Sequence, residues 1–181
     1  EGAWWRVHGS AGGGGLAAVA IGKMLGATVV ATASTDEKLA VVRQHGADHT
    51  VNYTKENFRD RVLEITNGRG VDKVFDPVGG EVFSQSLRCM APEGRICAFG
   101  FASGDIPQIP ANILLVKNLT VCGANIGYSV GWSPDDVRYK YEARMRGVVQ
   151  QVYDGCLCGA FRPQIAGVYP LAQFQDAMQA L

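Results

Sequence analysis

The chain has 181 residues, 47% apolar and 19% charged. That balance favours one packed domain and argues against wholesale disorder. Lys plus Arg and Asp plus Glu number 17 each, so no global charge draws the chain to nucleic acid or to an anionic membrane. No apolar run reaches the roughly 18 residues of a membrane-spanning helix, and the opening EGAWWRVHGS is no secretory signal.

Short β-branched runs alternate with helical patterns about ten residues long, as in βαβ units. The fold class is therefore α/β: a doubly wound, mainly parallel six-stranded sheet with helices on both faces. Strands are predicted at 4–9, 28–33, 49–53, 72–75, 95–100 and 119–123. Several are apolar on both sides, as a sheet covered on both faces requires. Helix 13–25 is apolar nearly all round, with Lys23 its only charge. Helix 35–45 follows the capping box Ser34-Thr35-Asp36-Glu37, in which the Ser34 oxygen accepts from the third helical amide and Glu37 reaches back. Gly46 offers its left-handed stop. Helix 57–66 aligns Phe58, Val62 and Ile65, and helix 81–90 aligns Phe83, Leu87 and Met90.

Residues 101–110 are the most loop-like interior stretch. A long helix is predicted from Ser133, with Pro134 in its first position and Asp135 and Asp136 at the positive end of its dipole. Val137, Tyr141, Met145, Val148 and Val152 form its stripe, and Gly155 ends it. A last helix from Leu171 carries Phe174, Met178 and Leu181 on one face. The first strand begins almost at residue 1 and the last helix has no stop signal, so a fragment of a longer protein is expected. Arg6 conflicts with its neighbours, because a strand buried on both faces should not hold an unpaired guanidinium. Either that part of the strand is exposed, or residues 4–6 are not native-like sequence.

The five cysteines are odd in number and scattered, which suggests a reduced, cytoplasmic setting. Cys156 and Cys158 form a C-x-C with no second pair and no neighbouring His to complete a zinc site, so no metal is expected. Glycine is over-represented: there are 23, where average usage of about 7% would give about 13.

The glycines concentrate in Gly9-Ser10-Ala11-Gly12-Gly13-Gly14-Gly15, which follows a strand and opens a helix. A pyrophosphate needs free amides at a helix N-terminus and no side chain in the way. This is the Rossmann-type arrangement, with Ser10 standing where G-x-G-x-x-G has its first glycine. Gly12 admits the phosphates and Gly15 lets the helix pack closely on the strand. The second strand selects the cofactor. An NAD site places an acid at its end for the ribose 2′-hydroxyl, but here the end reads Ala33-Ser34. Ser34 could donate to a 2′-phosphate and Lys38, one turn into the helix, could neutralise it, so NADP(H) is favoured over NAD. Asp36 and Glu37 are accounted for by the dipole of their helix.

His8-Gly9-Ser10-Ala11-Gly12-Gly13, Val51-Asn52-Tyr53, Asp76-Pro77-Val78-Gly79-Gly80, Gly94-Arg95-Ile96-Cys97-Ala98-Phe99-Gly100 and Ile109-Pro110-Ala111-Asn112 together resemble the cofactor domain of medium-chain dehydrogenases/reductases. The similarity is to the zinc-independent NADPH:quinone oxidoreductase (zeta-crystallin-like) branch, and it covers nearly the whole chain as one NADP-binding domain, 1–181. It implies hydride transfer from NADPH to a quinone or conjugated carbonyl. The alternatives are a 2-enoyl-thioester or alkene reductase of the same superfamily, and a non-catalytic NADPH-binding module. By the same resemblance the glycine turn falls on Ser10, Gly12, Gly13, Gly14 and Gly15, with Gly14 where valine is usual. The adenosine-phosphate contacts fall on Ser34, Lys38 and Tyr53. The ribose and nicotinamide would meet Val78, Gly79, Gly100 and Phe101, with Gly123 to Asn125 at the nicotinamide end. By the same resemblance the family's GroES-like domain and closing strand are expected to lie outside these 181 residues, and no catalytic residue is assigned. The implied partners are a small quinone or enone and, through the edge 119–123, a second copy. Nucleic acid and membrane are not among them.

Overall fold

The computed structural model describes residues 2–132 and 134–180. Six strands form one sheet: β1 (Trp4–Val7), β2 (Thr28–Ala33), β3 (His49–Asn52), β4 (Val71–Asp76), β5 (Met90–Ala98) and β6 (Thr120–Gly123). The order is β3-β2-β1-β4-β5-β6 and every pairing is parallel. The chain thus starts at the sheet centre, winds out to β3, returns to β4 beside β1 and winds out to β6. The reversal between β1 and β4 leaves a crevice at the carboxyl ends of the strands, where such sheets bind ligands.

Alternation along the strands builds two cores, one on each face. One holds Val30, Val51, Val74 and Ile96 under Phe58 and Val62 of α3 (Phe58–Ile65) and Phe83 and Leu87 of α4 (Gly80–Arg88). The other holds Val7, Val29 and Ala31 under Leu16 and Val19 of α1 (Gly13–Met24) and Val42 of α2 (Asp36–Gln44). Each such side chain contributes roughly 1.5–3 kcal/mol when fully buried. Close packing of α1 needs Gly22, where a Cβ would meet the Trp5 ring at 2.8 Å. Lys23 anchors the far end of α1, its ammonium donating to Asp48 at 2.8 Å and to Ala27 O at 3.0 Å.

Several predicted boundaries shift. Thr35, not Ser34, caps α2, accepting from Lys38 N at 3.3 Å. Its neighbour is freed because Ser34 still belongs to the strand exit, where its carbonyl accepts from the Thr54 hydroxyl. Asn57 caps α3, accepting from Arg59 N at 3.0 Å. The pattern missed two short helices, α5 (Ala111–Lys117) and α6 (Ile126–Val130). The long helix, α7, runs Arg138–Leu157. The predicted start at Ser133 lies outside the described residues, and Pro134 to Val137 precede the first helical turn. Gly155 does not end α7. It lies inside it as a contact point, where a Cβ would meet Met24 Sδ at 3.1 Å. The stripe of α7 is only partly covered: Tyr141, Met145 and Val152 are half-buried and Val148 is exposed. The last segment is a short 3-10 turn, Leu171–Gln173, followed by α8 (Phe174–Gln179), whose Phe174 and Met178 face solvent. Leu181, the third member of that stripe, lies outside the described residues.

Arg6 resolves its conflict in neither expected way. It is fully buried in β1, between the sheet and the α3/α4 layer. Its guanidinium lies 4.6 Å over the Phe58 ring and donates to Cys89 Sγ at 3.1 Å and to the Ser86 hydroxyl. Ser86 donates its one hydrogen to Val82 O. It therefore accepts from His8 Nε2, 3.2 Å away, which leaves His8 Nδ1 to accept from the Thr32 hydroxyl at 2.9 Å. Burial and the neighbouring Arg6 cation hold His8 well below its ordinary pKa, so it is neutral in the fold. The unfolded chain protonates this group below about pH 6.5 while the folded chain does not. Stability should therefore be flat above pH 7 and fall below about 6.5, by up to about 1.4 kcal/mol per pH unit. Urea unfolding between pH 5 and 8 checks this, and His8→Gln should flatten the curve. Asp76, raised by burial, acts in the opposite sense, in a window that opens at about pH 4 and runs up to its raised folded value.

Candidate nucleotide-binding site

Because all six strands run the same way, every predicted site residue falls on one edge of the sheet. The glycine turn follows β1, Ser34 and Lys38 follow β2, and Tyr53 follows β3. Val78 and Gly79 follow β4, Gly100 and Phe101 follow β5, and Asn125 follows β6. Strand order then arrays them in a line, with the adenosine candidates on the β2–β3 side, the glycine turn in the centre and the remaining loops over β4, β5 and β6.

The centre is built from backbone. Gly9 has φ +56°, and Gly12 N donates to Gly9 O at 3.1 Å to close a tight turn. At Gly15 any Cβ would collide with Gly9 O and lie 2.5 Å from Ser10 Cα, so α1 starts in direct contact with the end of β1. The first helical bond runs from Leu16 N to Gly12 O. The amides of Gly13, Gly14 and Gly15 therefore precede the helix's own acceptors, and no side chain caps the helix. Gly12, Gly13 and Gly14 are exposed, and a Cβ on Gly13 or Gly14 would meet nothing within 4 Å. Free amides, a positive helix end and open space together fit a pyrophosphate. Ser10 differs from its expected part. It is fully buried, and its hydroxyl and amide both donate to Thr32 O, at 2.9 and 3.3 Å. It ties β1 to β2 and turns its side chain away from the open amides.

At the β2 end, Lys38 is exposed and has no ion-pair partner among the described residues. Asp36 is occupied. Lys55 donates to it at 2.5 Å and Asn52 Nδ2 at 2.8 Å, and these bonds lower its pKa. The acid nearest the strand end is thus already neutralised. Tyr53, 48% exposed, is tied to this corner by Tyr53 N donating to Ala33 O at 3.2 Å.

On the other side, Asp76 organises the loop that sequence reasoning assigned to Val78 and Gly79. Its Oδ1 accepts from Val78 N at 2.8 Å and Gly79 N at 3.1 Å. Gly79 has φ +78°, and a Cβ there would meet Asp105 O at 2.8 Å and the Phe101 ring at 2.9 Å. The loops after β4 and β5 are therefore pressed together. Asp76 was missed as an individual, although an Asp two residues before a Val-Gly-Gly run is an Asx-turn signal. Beyond it, Gly100, Phe101 and Asn125 line a cavity of about 900 Å³ between the ends of β5 and β6 and α7, which contributes Tyr141, Arg144 and Met145. That is within the range for small-molecule sites.

Two contrasts test this construction. Gly15→Ala should cost at least about 2 kcal/mol of stability, since backbone meets the new Cβ. Gly14→Ala should be neutral within about 0.5 kcal/mol, since the space is open. Chemical denaturation of the two variants decides it.

Comparison with known proteins follows the same pattern. Residues 13–140 match the family described as zinc-binding dehydrogenase. The quinone oxidoreductase-like protein 2 homolog of Nematostella vectensis is 39% identical over 175 residues, 97% of this chain and 46% of that protein. A crystal structure of 2-haloacrylate reductase superposes with TM-score 0.84 at 31% identity, covering 98% of this chain and 53% of that one. Escherichia coli quinone oxidoreductase complexed with NADPH superposes with TM-score 0.76 at 28% identity, covering 91% of this chain and 48% of that one. The chain spans about half the length of the relatives it matches.

Proposed function

The chain belongs to the zinc-binding dehydrogenase family, among its quinone-oxidoreductase-like members, and from that premise we propose that it is the NADPH-binding domain of a reductase acting on quinones or other conjugated carbonyls. The observation that carries the reading is the row of amides at Gly13–Gly15 that precedes the helix's own acceptors, with open space at Gly13 and Gly14, flanked by Lys38, which has no ion-pair partner among the described residues, and by Asp36, to which Lys55 already donates. Among the described residues no three or more of His, Cys, Asp and Glu converge in a way that could hold a metal.

In this reading the amides of Gly13, Gly14 and Gly15 bind the pyrophosphate, with Gly12 keeping its approach clear. Ser34 and Lys38 bind the 2′-phosphate, and Tyr53 flanks the adenosine. Val78, Gly79, Gly100, Phe101 and Asn125 line the ribose and nicotinamide. NADPH, when bound, supplies a hydride. The protein's own contribution is position and exclusion of water rather than a nucleophile. Phe101, 45% exposed beside Gly79, closes the nicotinamide side. A second reading, reduction of the carbon–carbon double bond of a conjugated acid, is favoured by the likeness to 2-haloacrylate reductase.

We also place the protein in the cytoplasm, in keeping with five cysteines that form no disulfide. Among the described residues no helix is long and apolar enough to cross a membrane. A homodimer joined through β6 fits its place as an edge strand, paired only with β5.

The protein should bind NADPH at least about tenfold more tightly than NADH, a difference of about 1.4 kcal/mol. Lys38→Ala should erase most of that preference. Calorimetric titration of both cofactors tests this, and equal affinities would remove the 2′-phosphate assignment. Gly12→Val should abolish binding of both cofactors with the fold retained. Steady-state NADPH oxidation by the full-length protein with quinone, enone and acrylate panels separates the two substrate readings.

A further inference from the structure

The face of the sheet that carries α1 and α2 over β1, β2 and β3 is left open over β4, β5 and β6. A cavity of about 600 Å³ lies there, lined among others by Trp5, Lys73, Phe75, Arg95, Cys97 and Cys122. Cys97 and Cys122 are direct partners in the β5–β6 register, so their side chains leave the sheet side by side on this face. Both are half-exposed and neither is in a disulfide. Cys122 donates to Ile96 O at 3.6 Å. Two residues earlier on the same face, Lys73 and Arg95 are themselves direct register partners. Neither forms an ion pair within 4.0 Å among the described residues. Two adjacent thiols on the face that carries these two cations have no part in the nucleotide site.

We propose that Cys97 and Cys122 form a two-coordinate site for a soft monovalent cation such as Cu(I). Neighbouring strands run about 4.8 Å apart, and paired side chains in a parallel sheet leave it side by side, which brings the two sulfurs to one place on this face. The ligand number excludes zinc, which wants four, because no third His, Cys, Asp or Glu joins the pair among the described residues. Soft thiolates select Cu(I). Binding converts two thiols and one Cu(I) into a dithiolate complex of charge −1 and releases two protons, with no change of oxidation state. Lys73 and Arg95 stand on the same face of the sheet as that charge. Burial and the neighbouring Cys122 push the Cys97 thiol up to about 11, so at neutral pH the ion must displace both protons.

The test uses the full-length protein with Cys156→Ser and Cys158→Ser, which removes the exposed C-x-C as a competing ligand pair. Cu(I) is delivered under anaerobic conditions as its bicinchoninate complex, and transfer to the protein is followed by loss of the chelate's colour. The expected result is one Cu(I) per chain, with affinity rising about a hundredfold per pH unit below the thiol range, since two protons leave. Cys97→Ala and Cys122→Ala should each lower affinity at least tenfold. Thermal unfolding of both variants verifies that the sheet is intact. Absence of binding, binding that survives either substitution, or a tenfold rather than hundredfold rise per pH unit would overturn the proposal. If a substitution unfolds the protein, X-ray absorption on the parent decides: two sulfur ligands uphold the site, and any other ligand set ends it.

Discussion

The contact between Gly15 and the Gly9–Ser10 backbone fixes the geometry on which the site depends. Helix α1 begins against the end of β1 with no side chain between them. That closeness aims the first-turn amides over the centre of the sheet, at the point where strand order reverses. It also sets the depth of α1 on β1 and β2, and Gly22 two turns later preserves that depth against Trp5. Ser10 completes the arrangement by spending its hydroxyl on Thr32 O. The turn is therefore pinned to two strands while its solvent side stays bare.

Beneath this surface lies a buried polar layer. Arg6, His8, Thr32, Ser86 and Cys89 satisfy one another inside the α3/α4 core. Arg6 Nε and Asp76 Oδ2 are left without hydrogen-bond partners among the described residues. Burial lowers the Arg6 pKa and raises that of Asp76, and the two charges work against those shifts. Asp76 links this layer to the surface, since its other oxygen holds the Val78–Gly79 loop.

The two faces of the sheet are unequal. The α3/α4/α5 face is filled from β3 to β6, whereas the α1/α2 face has a complete core only near β1 and β2. Over β4, β5 and β6 the structure offers cavities, with α7 standing off beyond them. Exposed apolar side chains collect in the same late part of the chain, including Leu157, Val168, Leu171 and Phe174. This is why the stripes on α7 and α8 read correctly as periodic patterns yet do not become buried faces.

The sequence by itself determined the α/β class, the presence of six strands and the glycine turn, because period, turn chemistry and β-branched runs are local properties; β5, however, already starts at Met90, inside the predicted helix 81–90. It also placed the loop residues, since a parallel sheet sends every strand end to one edge. Tertiary structure decided what each of those residues faces. Ser34 was read as the cap that Thr35 supplies, because the point where β2 ends decides which residue opens α2. Arg6 was unreadable because its partners, Ser86 and Cys89, lie 80 or more residues away in the chain. The pairing of Cys97 with Cys122 and of Lys73 with Arg95 is a matter of register. Register is set by how neighbouring strands dock, and no local pattern in either strand encodes it.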